Sequence, residues 1–244
     1  MAYTQYVKPV DNLYDTPKNT LISKFKLIYK SKQLLICEDY NNIIITNKQQ
    51  NNTVMISTKS QYITNTIFAK KNNIIICSTE FGSVLFYKLD GTLLKKYDER
   101  KEPINILEIS KNNELYATYS KNSNIINILH FDTDELLQSI KIDDLVKNII
   151  FTDNYFVIGC NKYLYIYNFK DVYKFYKEFF LDKIYIKLLS IDNNGIIIIY
   201  NDLSLYIINI DEYNEFESSD ETQFIMSNII ENYITNDISN LILF

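Results

Sequence analysis

The sequence predicts an all-β chain, a six-bladed β-propeller in which each blade is a four-stranded antiparallel meander. Three observations predict it. The apolar residues are chiefly Ile, Leu, Tyr and Phe, with Ala nearly absent, so they suit half-buried pleated surfaces better than helices. Short apolar runs alternate with Asn- and Asp-rich turns along most of the chain. A strand–turn–strand unit recurs at a period of about 41 residues, and fixed periods of this size mark propellers and solenoid arrays.

The repeat is visible when the copies are written out. NIIITNKQQNNTVMIS from Asn42, SVLFYKLDGTLLKKY at 83–97, NIINILHFDTDELLQSI at 124–140, YLYIYNFKDVYKFY at 163–176 and SLYIINIDEYNEF at 204–216 share one plan. Each is an apolar strand, a polar turn and a second alternating strand. Equivalent positions are Thr46, Tyr87, Leu129, Tyr167 and Ile208, separated by 41, 42, 38 and 41 residues. Upstream of the later copies lies another pair of apolar runs: TNTIFAKK and NIIICSTE, INILEISK and ELYATYSK, VKNIIFTD and YFVIGCNK, IYIKLLSI and GIIIIYND. Asn and Asp fill the tight turns, since the chain has only four glycines and these residues tolerate the left-handed conformation.

These units resemble the third and fourth strands of WD repeats, whose pattern runs roughly T-I-R-L-W-D-L and then D-x-x-T-G. The resemblance implies blades at about 22–60, 61–98, 103–141, 145–181, 183–218 and 222–244 in a single domain spanning 1–244. The last segment, TQFIMSNIIENYITNDISNLILF, reads as three strands, and Tyr3–Val10 is expected to supply the fourth and close the ring. Pairing the termini would cover two exposed edges. A five-bladed ring would leave the apolar C-terminus unused. A six-bladed ring closed by a partner's strand remains an alternative.

A second likeness covers about fifty residues. EPINILEISKNNELYATYSKNSNIINILHFDTDELLQSIKIDDLVKNIIF resembles the central blades of the PROPPINs, phosphoinositide-binding propellers, chiefly at Ala117-Thr118, Ile125-Ile126 and Leu136-Leu137. That family's Phe-Arg-Arg-Gly motif is matched here by Ile140-Lys141-Ile142-Asp143. Both arginines are gone, and Lys141 alone lacks the bidentate phosphate contacts that Arg makes. The likeness implies the fold and argues against inherited lipid binding.

Charge and composition exclude further classes. The net charge is −5, and no Lys or Arg follows Lys187. Arg100 is the only arginine, which argues against a nucleic-acid binder. No apolar run reaches the length of a membrane-spanning helix, and the N-terminus lacks the pattern of a secretory signal. Three cysteines in register, Cys37, Cys77 and Cys160, read as small buried hydrophobes in a reducing cytoplasm rather than as metal ligands.

Catalytic patterns are missing: there is no nucleophile elbow, no zinc-protease helix, no P-loop and no dinucleotide glycine motif. The single histidine, His130, sits where a strand ends and is expected to bridge a turn. No cofactor is implied. The expectation is a non-catalytic scaffold for protein partners, as a monomeric ring or a subunit of a hetero-complex, with binding at a phosphoinositide membrane surface as the alternative and an enzyme of the central channel as a third. The acidic insertion at 211–222 is the candidate partner-binding loop. Asp211, Glu212, Glu217, Asp220 and Glu221 would face a basic partner, and Tyr213 and Phe216 would act as anchors.

Overall fold

In the computed structural model the described residues are 25–39, 41–58, 61–98, 101–168, 174–181, 183–191, 194–200 and 204–211. They form 19 strands in five separate antiparallel sheets. The first sheet is β1 (Lys26–Lys30), β2 (Leu34–Glu38), β3 (Asn42–Asn47) and β4 (Asn52–Ser57). The second is β5 (Ile63–Ala69), β6 (Ile74–Thr79), β7 (Ser83–Lys88) and β8 (Leu93–Asp98). The third is β9 (Ile106–Ile109), β10 (Leu115–Ser120), β11 (Ile125–His130) and β12 (Leu136–Lys141). The fourth is β13 (Asn148–Phe151), β14 (Tyr155–Gly159), β15 (Tyr163–Asn168) and β16 (Lys174–Phe180). The fifth holds three described strands, β17 (Tyr185–Ser190), β18 (Gly195–Tyr200) and β19 (Leu205–Asn209). Every sheet is a meander in sequence order.

This corrects the expected architecture. The described residues make a β-rich repeat of five separate sheets, not a six-bladed WD-like propeller closed by an N-terminal strand. The closing strand at 1–10 and the blade at 222–244 lie outside the described residues. A period near 41 residues is satisfied by any succession of four-stranded meanders. How many there are, and whether their ends meet, depends on the angle between sheets, which no local pattern encodes. By compactness the chain divides into Met1–Ile208 and Asn209–Phe244.

Within the first unit the sheets follow one another through their leading strands. β1 lies against β5, β5 against β9, β9 against β13 and β13 against β17. Apolar layers fill the space between them. Ile36, Ile43 and Ile45 of the first sheet meet Ile75, Cys77 and Leu85 of the second. Ile76, Val84 and Phe86 leave the second sheet's other face to meet Leu107, Tyr116 and Leu129. Ala117, Ile126 and Ile128 then meet Ile149, Phe156 and Ile158. A second strand covered on both faces must be apolar at successive positions, which is why IIIC and YFVIG are unbroken runs rather than alternating ones.

Apart from Gly82 and Gly91 in two turns of the second sheet, the described left-handed positions are filled without glycine. Asn51, Asn73, Asn113, Asn124 and Asn194 all have positive φ, between 49° and 58°, as does Asp134 at 56°. Asn adopts this left-handed region more readily than any β-branched residue in the chain could. Neighbouring sheets are tied through positions about one period apart. Asn65 Nδ2 donates to Asn105 O at 2.7 Å, Lys71 Nζ to Asn112 O at 3.3 Å, and Asn113 Nδ2 to Asn72 Oδ1 at 3.4 Å. Asn194 Oδ1 accepts from Thr152 Oγ1 at 3.1 Å and from the Asn154 backbone N–H at 2.8 Å.

Candidate functional site

Of the acidic loop, only Asp211 is described. It is exposed just past β19, and its backbone N–H donates to Asn209 Oδ1 at 3.1 Å. Glu212, Tyr213, Phe216, Glu217, Asp220 and Glu221 lie outside the described residues.

His130 closes β11, paired with Leu115, and its Nδ1 accepts the Asp132 backbone N–H at 3.3 Å. It serves the β11–β12 turn. The cysteines are free; Cys37 lies on β2, Cys77 on β6, and Cys160 just past the end of β14. Burial pushes the Cys160 thiol up to about 12, with the Asp144 charge adding to the effect. Burial, then the Glu38 charge, raises Cys77 still further, and burial alone raises Cys37. Thiols held protonated in this way are poor nucleophiles. Among the described residues no group of three or more His, Cys, Asp or Glu side chains is placed to hold a metal ion.

One carboxyl stands apart. Glu108 lies on β9, the leading strand of the third sheet, and burial lifts its carboxyl to about 7. The Ile109 backbone N–H and the Lys187 charge oppose the rise without cancelling it. Lys187 belongs to β17, two sheets further on, so leading strands bring these charges within each other's field across the fourth sheet's leading edge. An isolated acid of this kind has no positioned nucleophile or second acid described beside it, so the geometry stops short of a catalytic arrangement.

The most distinctive surface is the outer strand of the fourth sheet. β16, KFYKEFF, pairs with β15 on one side, and no strand pairs with its other edge among the described residues. Phe175 and Tyr176 are each 49% exposed and Phe180 is 64% exposed. None of these rings is loose. Tyr167 meets Phe175 edge-on at 5.6 Å between centroids, Tyr163 meets Phe180 at 5.5 Å, and Tyr155 lies 5.3 Å from Tyr176. Tyr163 in turn stacks on Tyr165 at 6.1 Å and 24°. The cross-strand register Tyr163↔Phe180, Tyr165↔Glu178 and Tyr167↔Phe175 places these side chains on one face of the sheet. A bulge at Ile166/Tyr167 absorbs Tyr176 as the extra residue. On the opposite face the Lys177 ammonium covers the Phe179 ring at 4.9 Å.

Sequence reading placed a strand here but did not single out its rings. With 35 Phe and Tyr residues in the chain, an aromatic strand is unremarkable until its outermost position is known.

Comparison with known proteins adds fold and nothing about function. No family model matches the chain, and no curated protein matches it. Among solved structures, the crystal structure of the computationally designed Ika8 protein is similar at a TM-score of 0.62 and 14% identity. The match covers 75% of this chain and 57% of that protein. The likeness is one of fold. It lends no support to either the WD-repeat or the PROPPIN resemblance.

Proposed function

We propose that this chain is a non-catalytic interaction protein and that the outer strand β16 is where it binds a protein partner. The observation that carries this reading is the set of three exposed rings on the outer strand of the described sheet, each braced by a tyrosine of the same sheet. Large rings fixed before binding lose little entropy on contact and dominate interface energies.

The test is affinity capture from the native host with the wild-type chain and with Phe175→Ser/Tyr176→Ser/Phe180→Ser, followed by titration of the recovered partner against both. Loss of one stoichiometric partner, with affinity down at least about tenfold, supports the reading, since hot-spot truncations commonly reach 2 kcal/mol. An identical partner set at unchanged affinity removes β16 from consideration.

A further inference from the structure

The hairpin end of the first two sheets carries a charge pattern that the protein-binding reading leaves unused. The β1–β2 turn holds Lys30 and Lys32, the β3–β4 turn Lys48, the β5–β6 turn Lys70 and Lys71, and Lys88 opens the β7–β8 turn. All six are exposed. In a meander the first and third hairpins leave the sheet at the same end, and contacts bind these four together. The Lys48 backbone N–H donates to Gln33 O at 2.7 Å, and Lys48 Nζ reaches Ser31 O at 3.5 Å. Lys88 pairs across the sheet with Ile74, just past the Lys70–Asn73 turn. Between the two sheets, Tyr29 and Phe68, each two or fewer residues from these turns, meet at 4.8 Å between ring centroids.

Within these four turns the only carboxylate is Asp90, which its own loop engages: Thr92 N–H donates to Asp90 Oδ1 at 2.8 Å. Among the described residues none of the six lysines has a carboxylate oxygen within 4.0 Å. The pattern ends at the third sheet. There Lys111 lies 3.2 Å from Asp153 and donates to Ile191 O at 3.0 Å. The opposite end of the same sheets mixes signs, with Asp39 and Glu80 in the second hairpins and Lys101 and Glu102 in the connection beyond.

We propose that this end is a docking surface for an anionic lipid bilayer. Three features select a bilayer over an acidic protein. Every cation is Lys, a hydrated point charge suited to a diffuse field of headgroups rather than to fixed bidentate pairs. No large apolar side chain is exposed in these turns, so a protein partner would find no anchor of the kind that dominates interfaces. The charges are spread over four adjacent hairpins at one end of two sheets, an arrangement that meets a planar surface in many places at once. Clusters of four to eight lysines within a Debye length of an anionic leaflet, about 10 Å at 0.1 M salt, bind it measurably.

The experiment is co-sedimentation of the full chain with phosphatidylcholine vesicles, with and without phosphatidylserine. The expected result is binding only to the phosphatidylserine vesicles, lost on raising the salt. Lys30→Gln/Lys32→Gln/Lys70→Gln/Lys71→Gln should lower partitioning by at least about a hundredfold, because each lysine near such a surface contributes roughly a factor of five. Lys101→Gln/Lys121→Gln/Lys162→Gln, at the opposite end, should leave it unchanged. Circular dichroism and melting of each variant show whether it is folded. If the first variant fails to fold, competition settles the matter with the wild-type chain: soluble poly-glutamate should not displace it from vesicles at equal charge concentration. Equal binding to neutral vesicles, no binding to either, an unaffected first variant, or tight binding to poly-glutamate in preference to vesicles would each overturn the proposal. The Phe175/Tyr176/Phe180 variant should still sediment, so the two surfaces succeed or fail separately.

Discussion

Gly159 shows how one residue sets the distance between two sheets. A Cβ there would collide with Tyr185 Oη and lie 2.6 Å from Leu188 Cδ1, both on the leading strand of the fifth sheet. Tyr185 and Leu188 are themselves buried, so they have little room to yield. Gly159→Ala should therefore destabilise the chain by about 1–3 kcal/mol, measured as a shift in urea midpoint, and pairing it with Tyr185→Phe should recover part of the loss. Glu108 is the second residue whose surroundings decide its behaviour. With its carboxyl lifted from 4.5 to about 7, the folded chain holds a proton that the unfolded chain has already released. Stability from this group thus falls as pH rises from the ordinary carboxylate range to about 7, then levels off. Glu108→Gln should match wild type in acid and exceed it above neutrality by about 1–3 kcal/mol, read as the difference between two stability–pH curves. A wild-type-like curve for the variant would mean that the carboxyl is better solvated than its position implies.

At the scale of the element, the ties between sheets are polar at the turns and apolar between the strands. Asn194 combines two roles, a left-handed φ of 58° and an acceptor for both Thr152 Oγ1 and the Asn154 N–H. Asn194→Gly keeps the backbone and loses the bonds, whereas Asn194→Ala loses both. Losses of about 1 kcal/mol for Gly and about 2 kcal/mol for Ala are expected in thermal melts. Lys95 plays a comparable part between the second and third sheets. Its ammonium bonds the Phe131 carbonyl oxygen and, at 2.7 Å, Asp134 Oδ1, and it lies 4.1 Å from the Phe86 ring centroid. Asp134 also accepts the Tyr116 hydroxyl at 2.9 Å. Lys95→Met leaves Asp134 half-buried with its cation removed, and a loss of about 2 kcal/mol should follow, recovered in part by adding Asp134→Asn. β16 differs from β8 in this respect. Two consecutive lysines, Lys95 and Lys96, fall on β8, while β16 presents three exposed rings, which is the physical basis for proposing that it binds the partner.

At the scale of the molecule, the strand contacts between described sheets run chiefly between sequence neighbours, so stability should vary along the chain as it does in repeat proteins. Second strands of the second, third and fourth sheets, β6, β10 and β14, are covered on both faces. Their amides should exchange slowest, and those of the outer strands β4, β8, β12 and β16 faster by at least about tenfold, in a hydrogen-exchange experiment resolved by peptide. Uniform protection across all strands would mean that the sheets unfold as one unit.

The strands themselves were legible in the residues. Unbroken apolar runs such as IIIC and GIIIIY mark strands covered on both faces, and the recurring Asn-rich turns mark where they reverse. The period of about 41 residues was legible for the same reason, because each meander repeats the same local demands. The six-bladed closed ring was not. It rested on strands assigned to 1–10 and 222–244 and on a resemblance, whereas the number and closure of sheets follow from contacts between segments far apart in sequence. The sites divide in the same way. That His130 belongs to a turn and that Cys77 and Cys160 are buried follows from their positions in the repeat, because burial and strand ends recur with the period, whereas Cys37 in the first sheet is only partly buried. That Phe175, Tyr176 and Phe180 lie on an outer strand, that partial desolvation raises the Glu108 carboxyl, and that six scattered lysines share one end were decided only by tertiary structure. Exposure, desolvation and charge clustering are properties of what surrounds a side chain in space, and the chain's local pattern specifies only what it is joined to.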